Sequence, residues 1–208
     1  MEIINLILQL FIHLDKNLLY FVTTYGYLTY PFLFLIVFIE TGVVVFPLLP
    51  GDSLIFASAA LASKGALNIY LLFILFFSAA IIGDTVNYFV GKFSGVQLIQ
   101  RNWIKQEYLE KTRRFFEKHG GKAIVLARFV PIVRTIAPFI AGLGKMNYTN
   151  FIFYNILGGF IWVSLFLGIG FFFGGIPFVE ENFSLSIMII IFLSITPLIY
   201  EYIKSRFN

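Results

Sequence analysis

The chain has 208 residues, of which 59% are hydrophobic and only 12% are charged, and its net charge is +4. Because soluble domains carry about 25% charged residues, this composition excludes an ordinary soluble protein and predicts a single polytopic membrane domain over residues 1–208. No cysteine is present, which excludes a disulfide framework and a thiolate metal site. His13 and His119 are the only histidines, so we predict no metal and no cofactor.

Residues 3–22 are predicted to form a first transmembrane helix, although Asp15 and Lys16 interrupt it. A spanning helix needs about 20 mainly apolar residues. The apolar stretches 28–63 and 123–145 contain charges and helix breakers in their middle. We therefore predict that each of them is a re-entrant helical hairpin within an all-α membrane fold.

The first hairpin has its predicted break at Pro47, Pro50 and Gly51. Non-helical backbone at membrane depth must be buried in protein or line a wet cavity, so this break should line a cavity. Asp52 would then cap a half-helix that starts at Ser53. Glu40 lies inside the apolar stretch, and intramembrane carboxylates are functional-site candidates by default. We predict that Glu40 and Asp52 couple the protein to protons.

Residues 67–90 are predicted to form the next transmembrane helix. Asp84 and Asn87 lie at i,i+3 spacing on one face of it, where they can bond a neighbouring helix. We favour this structural role over contact with a substrate. Small residues let membrane helices pack closely, and this is the role predicted for Gly83, Gly91 and Gly95.

Residues 92–122 hold eight of the 15 Lys and Arg residues of the chain, and the positive-inside rule places them in the cytoplasm. Asn102 can cap a helix here and Gly120 can end it. We predict an amphipathic helix over 102–119 that lies on the inner membrane surface. Specific lipid binding and a merely solvated topogenic loop are both open alternatives for this region.

The second hairpin has its predicted break at Pro131, between Arg128 and Arg134. On one continuous helix these two arginines would point to different faces, whereas a break lets both turn toward one pocket. Thr135 is predicted to precede a half-helix with Pro138 in its first turn, where proline is tolerated. Arginine forks beside a helix N-terminus can bind phosphate. Arg128, Arg134 and Thr135 are therefore the predicted substrate-binding residues.

Residues 147–174 and 184–203 are the last two predicted transmembrane helices. With 92–122 inside, the first hairpin begins and ends outside and the second begins and ends inside, which is an inverted-repeat arrangement. The C-terminus then lies in the cytoplasm. Trp162 is interpreted as a packing residue that faces lipid or another helix.

Glu40 and Asp52 could also simply neutralise Arg128 and Arg134. Static pairing is a weak reason to bury four charges, because desolvation can cost as much as the attraction contributes. We favour a pocket that exchanges partners, and static neutralisation stays open.

Three spaced motifs resemble the DedA family of membrane proteins, whose eukaryotic relatives carry the VTT or SNARE-associated domain. They are Glu40 with FPLLPGD, then GDTVNYFVGKFSG at 83–95, then FFEKHGGKAIVLARFVPIVRTIAPFIAGLGKM at 115–146. The match covers roughly residues 30–175. The resemblance implies two facing re-entrant hairpins, lipid transport, and functional importance of Glu40, Asp52, Arg128 and Arg134. Some bacterial members are implicated in returning undecaprenyl phosphate, the cell-wall carrier lipid, to the cytoplasmic leaflet. Others are implicated in maintaining the proton-motive force and in handling phosphatidylethanolamine.

We predict a multi-pass bacterial cell-membrane transporter that flips a lipid phosphate, undecaprenyl phosphate, from the outer to the cytoplasmic leaflet with proton coupling. Its partners would be this lipid, the bilayer and protons, with no nucleic acid, and a homo-oligomer stays open. A general phospholipid scramblase or flippase and a proton-coupled ion antiporter are the alternatives. The chain has no Gly-x-Ser-x-Gly or His-Glu-x-x-His motif, so we predict that it is not an enzyme.

Overall fold

The computed structural model describes residues 14–42, 51–100, 106–176 and 179. Within these ranges all regular structure is helical and no strand occurs, which confirms the predicted helical class. The α-helices are α1 (Leu14–Tyr25), α2 (Thr29–Gly42), α3 (Gly51–Ser63), α4 (Ile69–Gln100), α5 (Gln106–His119), α6 (Ala123–Ala127), α7 (Pro131–Leu143) and α8 (Tyr148–Phe173).

Three described segments are long and apolar enough to cross a membrane, namely Leu18–Gly42, Ile69–Gly95 and Tyr148–Phe173. The last two confirm the spans predicted at 67–90 and 147–174. Helix α4 continues to Gln100, beyond the predicted end, because no proline stops it there. The predicted span 184–203 lies outside the described residues.

The chain bends at Gly26, within the first of these segments. The rings of Phe21 and Phe32 stack with centroids 4.5 Å apart, whereas residues 11 positions apart on one straight helix are about 16 Å apart. Gly26 has a φ of +53°, a left-handed conformation that glycine adopts readily. Helix α2 is therefore a separate element from α1. The part of the predicted first helix before residue 14 is not among the described residues.

The described residues form two compact units. The first unit comprises residues 14–34, 51–76, 163–176 and 179, and the second unit comprises residues 35–42, 77–100 and 106–162. Helices α2, α4 and α8 each contribute residues to both units.

Helix α3 forms the buried centre of the first unit, and nearly all of its side chains are shielded. Gly170 of α8 and Gly174, directly after its end, lie where an added Cβ would collide with α3, so the two backbones approach closely. The predicted start of this helix at Ser53 is wrong, because α3 begins at Gly51. Asp52 is consequently in the first turn, where the helix dipole favours a carboxylate.

Tyr88 of α4 lies at the centre of the hydrophobic core of the second unit. Its ring stacks on Phe151 with centroids 4.5 Å apart, and its hydroxyl donates to the carbonyl of Met146 at 2.5 Å. Phe116 of α5 packs against the same core, so this charged helix is attached to the protein through an aromatic ring. Residues 102–105 of the predicted amphipathic helix lie outside the described part of the chain.

Helices α4 and α7 pack with their backbones in contact. A Cβ at Gly91 would collide with the backbone of Phe139, and a Cβ at Gly142 would collide with the backbone of Tyr88. The close-packing role predicted for Gly91 is thereby confirmed. Helix α4 also packs closely against α2, because Gly83 lies where an added Cβ would overlap the side chain of Thr41.

The second broken stretch consists of α6 and α7, with a turn between them. Val130 has φ −123° and ψ 104°, the extended conformation that a following proline favours. Helix α7 begins at Pro131, where the missing N–H has no helical partner in any case. The prediction that Thr135 precedes this helix is therefore wrong. Thr135 lies inside α7, and Pro138 lies in its interior instead of its first turn.

Candidate functional site

Arg134 and Glu40 form a buried ion pair in the second unit. Arg134 lies in the first turn of α7, and its NH2 group donates to Oε1 of Glu40, near the end of α2. Both side chains are only 6% exposed. The early start of α7 at Pro131 therefore determines where this guanidinium lies.

Arg128 forms a second buried ion pair, with Asp84 of α4. Its NH2 group donates to Oδ2 of Asp84 at 2.6 Å and to Oδ1 of Asn155 at 2.5 Å. The side chains of Arg128 and Asp84 are 2% and 4% exposed. Asn155 is itself oriented, because its Nδ2 donates to the carbonyl of Ile81 at 3.2 Å. Two acceptors on two helices thus hold one end of the Arg128 guanidinium.

Trp162 of α8 connects the two arginines. Its ring centroid lies 4.7 Å from Cζ of Arg134 and 5.9 Å from Cζ of Arg128. Cations within about 6 Å of an aromatic ring are attracted by its quadrupole. Trp162 is completely buried, so its indole ring packs against the two guanidinium groups inside the protein. The predicted alternative, that Trp162 faces lipid, is wrong.

Gly158 and Gly159 of α8 make room for Arg128. A Cβ at Gly158 would lie 3.1 Å from Cδ of Arg128, and one at Gly159 would lie 3.5 Å from its NH2 group. Contacts of 3.1 Å are tighter than most Cβ contacts. Paired glycines in the middle of an apolar span thus mark the place where a long buried side chain fits.

Asn87 of α4 forms hydrogen bonds to α2 and α7 beside the ion pairs. Its Nδ2 donates to the carbonyl of Thr135 on α7 at 2.7 Å and to the carbonyl of Thr41 on α2 at 3.3 Å. Asn87 of α4 thus bonds both neighbouring helices, which is the structural role predicted for the polar pair that it forms with Asp84.

Several buried polar atoms of this cluster have no hydrogen-bond partner among the described residues. They include Nε and NH1 of Arg128 and Oδ1 of Asp84. Nε and NH1 together carry three N–H donors. A fixed guanidinium with such donors can bind the oxygens of a phosphate or carboxylate. The cluster therefore has the chemistry of an anion site within the membrane-spanning part of the protein.

The structure brings together three of the predicted site residues, Glu40, Arg128 and Arg134. The carboxylate on Arg128 belongs to Asp84, for which only a structural role was favoured. Asp52 belongs to the first unit and is partly exposed.

The remaining predicted residues fall in different places. Thr135 is buried and offers its carbonyl to Asn87. Gly51 and Pro131 are the first residues of α3 and α7. Pro47 and Pro50 lie outside the described residues.

The sequence interpretation missed Asn155 altogether and undervalued Asp84. The signal for Asp84 was available, since an intramembrane carboxylate is a functional-site candidate wherever it occurs. Asn155 is a polar residue inside the apolar helix α8, close to the glycine pair. Among the described residues, no three His, Cys, Asp or Glu side chains cluster so as to hold a metal ion.

Apolar helices of spanning length with charged side chains buried among them define a helical membrane protein. A comparison with protein families matches the VTT domain over residues 49–172. The chain belongs to the DedA family, as its motifs predicted.

Curated relatives cover most or all of the chain. Protein DedA of Escherichia coli K12 is 47% identical over 99% of this chain and 96% of its own length. An uncharacterised membrane protein of Mycobacterium leprae is 40% identical over 80% of this chain and 76% of its own length. Inner membrane protein YqjA of Escherichia coli K12 is 35% identical over 70% of this chain and 67% of its own length. No solved structure matches the chain.

Proposed function

We propose that this protein flips a lipid phosphate, undecaprenyl phosphate, from the outer to the cytoplasmic leaflet and couples the movement to the proton gradient. The observation that carries the proposal is the pair of buried arginines, each bonded to a carboxylate and both lying over Trp162. The choice of undecaprenyl phosphate rests on the family resemblance.

The arrangement suits a phosphate because guanidinium groups bind phosphate oxygens through geometrically matched N–H donors. Two arginines can hold a phosphate monoester from two sides. Burying charges is expensive, and replacing such pairs by apolar residues often stabilises a protein. Intramembrane ionisable residues accordingly mark substrate and proton pathways.

Proton coupling follows from competition for the arginines. A protonated Glu40 or Asp84 no longer attracts its arginine as an anion, so the arginine can bind phosphate instead. When the proton leaves on the cytoplasmic side, the carboxylate reclaims the arginine and the phosphate departs. Asp52 of the first unit would take up protons near the outer leaflet.

The proposal includes the two re-entrant hairpins predicted at 28–63 and 123–145, opening toward opposite sides of the membrane in an inverted repeat. In this topology the helix over 102–119 and the C-terminus are cytoplasmic. An outward-open hairpin and an inward-open hairpin would give a lipid head group access from each leaflet in turn.

The test is transport in liposomes that contain the purified protein and labelled undecaprenyl phosphate, with an acidic exterior. We expect inward movement well above that of empty liposomes, and its loss in Arg134→Ala. Arg134→Lys should recover only part of the rate, because a single ammonium cannot replace the guanidinium fork. Arg113→Gln, which removes an exposed arginine of the same unit, is the matched control and should transport normally.

Undiminished transport by Arg134→Ala would contradict the phosphate role of the arginines. Equal movement of phosphatidylcholine would indicate a non-selective scramblase. Proton-driven ion flux that lipid phosphate does not inhibit would instead indicate an antiporter.

A further inference from the structure

One cavity of the second unit lies away from the ion pairs. Its volume is about 470 Å³, and its walls come from α4, the start of α8 and the loop between α7 and α8. Lys92 on its wall is eight residues beyond Asp84 on α4, which is about 12 Å of helix. None of Glu40, Asp84, Arg128 and Arg134 lines this cavity.

Two exposed lysines, Lys92 and Lys145, face this cavity. Neither has a carboxylate partner within the part of the chain that the structure describes. The Nζ atom of Lys92 instead lies 6.0 Å and 5.8 Å from the ring centroids of Phe89 and Phe93. The described residues that line the cavity include these two ammonium groups and no carboxylate, so its wall is positively charged.

Lys145 occupies a backbone position that ordinarily belongs to glycine. After α7 ends, the N–H of Lys145 bonds the carbonyl of Gly142 at 3.0 Å, and the N–H of Met146 bonds the carbonyl of Ala141 at 2.9 Å. This pattern is a Schellman motif, whose C′ residue is left-handed and usually glycine. Lys145 has a φ of 55° and is the only non-glycine residue with positive φ among those described. A strained backbone that carries a lysine into a cavity suggests that the side chain is needed there.

The cavity lies at the level where two apolar spans end. The candidate span of α4 ends at Gly95, and that of α8 begins at Tyr148, which lines the cavity. Phe93, on the same wall, is 70% exposed. Aromatic rings and lysines are enriched at the boundary between hydrocarbon and head groups, so the cavity opens where lipid phosphates are found.

We infer that this cavity binds the phosphate head group of a membrane lipid, with Lys92 and Lys145 contacting the phosphate and Phe93 lying along the acyl chains. Lysine binds phosphate as a compact point charge. The site goes beyond the proposed transport function, because binding here uses neither the buried arginines nor a proton gradient.

The test is calorimetric titration of the purified full-length protein in detergent with dioctanoyl phosphatidic acid. Dioctanoylglycerol and inorganic phosphate, titrated separately, supply the same tails without phosphate and phosphate without tails. We expect phosphatidic acid to bind more tightly than either. Each loss of a lysine charge should weaken binding about fivefold, and Lys92→Gln with Lys145→Gly about 25-fold.

Lys145→Gly distinguishes binding from structure, because glycine fits the left-handed position better than lysine. We expect this variant to melt at a higher temperature while binding the lipid more weakly. Lys122→Gln removes an exposed lysine elsewhere in the unit and should change neither property. The Arg134→Ala background separates the two sites, since the lysine-dependent loss should persist in it even if transport is absent.

Unchanged phosphatidic acid binding by the double lysine variant would overturn the assignment. Inorganic phosphate binding as tightly as phosphatidic acid would overturn the lipid assignment. Loss of phosphatidic acid binding in an Arg134→Ala variant that is still folded by its melting transition would show that the lipid occupies the arginine site, which also overturns the assignment.

Discussion

The second unit contains two kinds of arginine ion pair in very different surroundings. Arg113 bonds Glu117 one turn away on α5 at 3.2 Å, and these side chains are 71% and 62% exposed. Arg134 bonds Glu40 from 94 positions away in the chain, and both are 6% exposed. The functional groups are the same, but those of the second pair have been removed from water.

This difference changes what each pair contributes. Exposed pairs add at most about 1 kcal/mol, because water and salt screen them. A buried pair contributes little net stability as a unit, yet removing one partner leaves an uncompensated charge and costs about 3–5 kcal/mol. The buried pairs are therefore sensitive to every change of charge, as the proposed exchange of protons and phosphate requires.

The largest expected effect is that of Arg134→Ala. The variant should lose about 3–5 kcal/mol of unfolding free energy in detergent, because the Glu40 carboxylate loses this cation. The double variant Glu40→Met with Arg134→Met should regain most of the stability but no transport. Denaturant unfolding and the liposome assay measure the two properties. Lipid transport by the double variant, which lacks both charges, would show that Glu40 and Arg134 only neutralise each other and are not needed for transport.

Asp84→Asn should have the next largest effect. The amide oxygen can still accept a hydrogen bond from Arg128, but the negative charge is gone, so we expect a loss of about 2 kcal/mol. Asp84→Leu removes the acceptor as well and should lose more. Unfolding measurements on the two variants check the order. Equal stability of Asp84→Leu and the parent would contradict the Asp84–Arg128 pair.

Asn87→Leu tests the link between α2, α4 and α7. Loss of its bonds to the carbonyls of Thr41 and Thr135 should cost about 1–2 kcal/mol, the range for interhelical polar contacts in membranes. Asn150→Leu, at an exposed position of α8, is the control and should be close to neutral in the same unfolding assay. A neutral Asn87→Leu would mean that these helices are held by packing alone.

Arg113→Gln should have the smallest effect, about 0.5 kcal/mol or less, and salt should reduce it further. Unfolding at low and high ionic strength provides the measurement. A cost above about 2 kcal/mol would remove the contrast between the exposed and the buried pairs.

Much of the helical layout could be predicted from sequence. The spans within α4 and α8 follow from the length of apolar segments, and Gly91 follows from the need of membrane helices for small contact residues. The predicted start of α7 near Thr135 is wrong. Proline is tolerated in the first turn of a helix, so the sequence allows either Pro131 or Pro138 in that position and cannot show which of them the helix begins with. The bend at Gly26 could not be predicted, since a single glycine is compatible with a continuous helix.

The amino-acid sequence by itself determined the class of this protein, its apolar spans, its basic region and the presence of charges where lipid would exclude them. These properties depend on composition and on neighbours a few residues apart. Only the tertiary structure decided that Asp84 is the carboxylate on Arg128 and that Trp162 lies beneath both arginines. Arg128 is 44 residues from Asp84, and Arg134 is 94 residues from Glu40. Sequence spacing carries no information on pairs so far apart, which form only when α2, α4, α7 and α8 pack against one another.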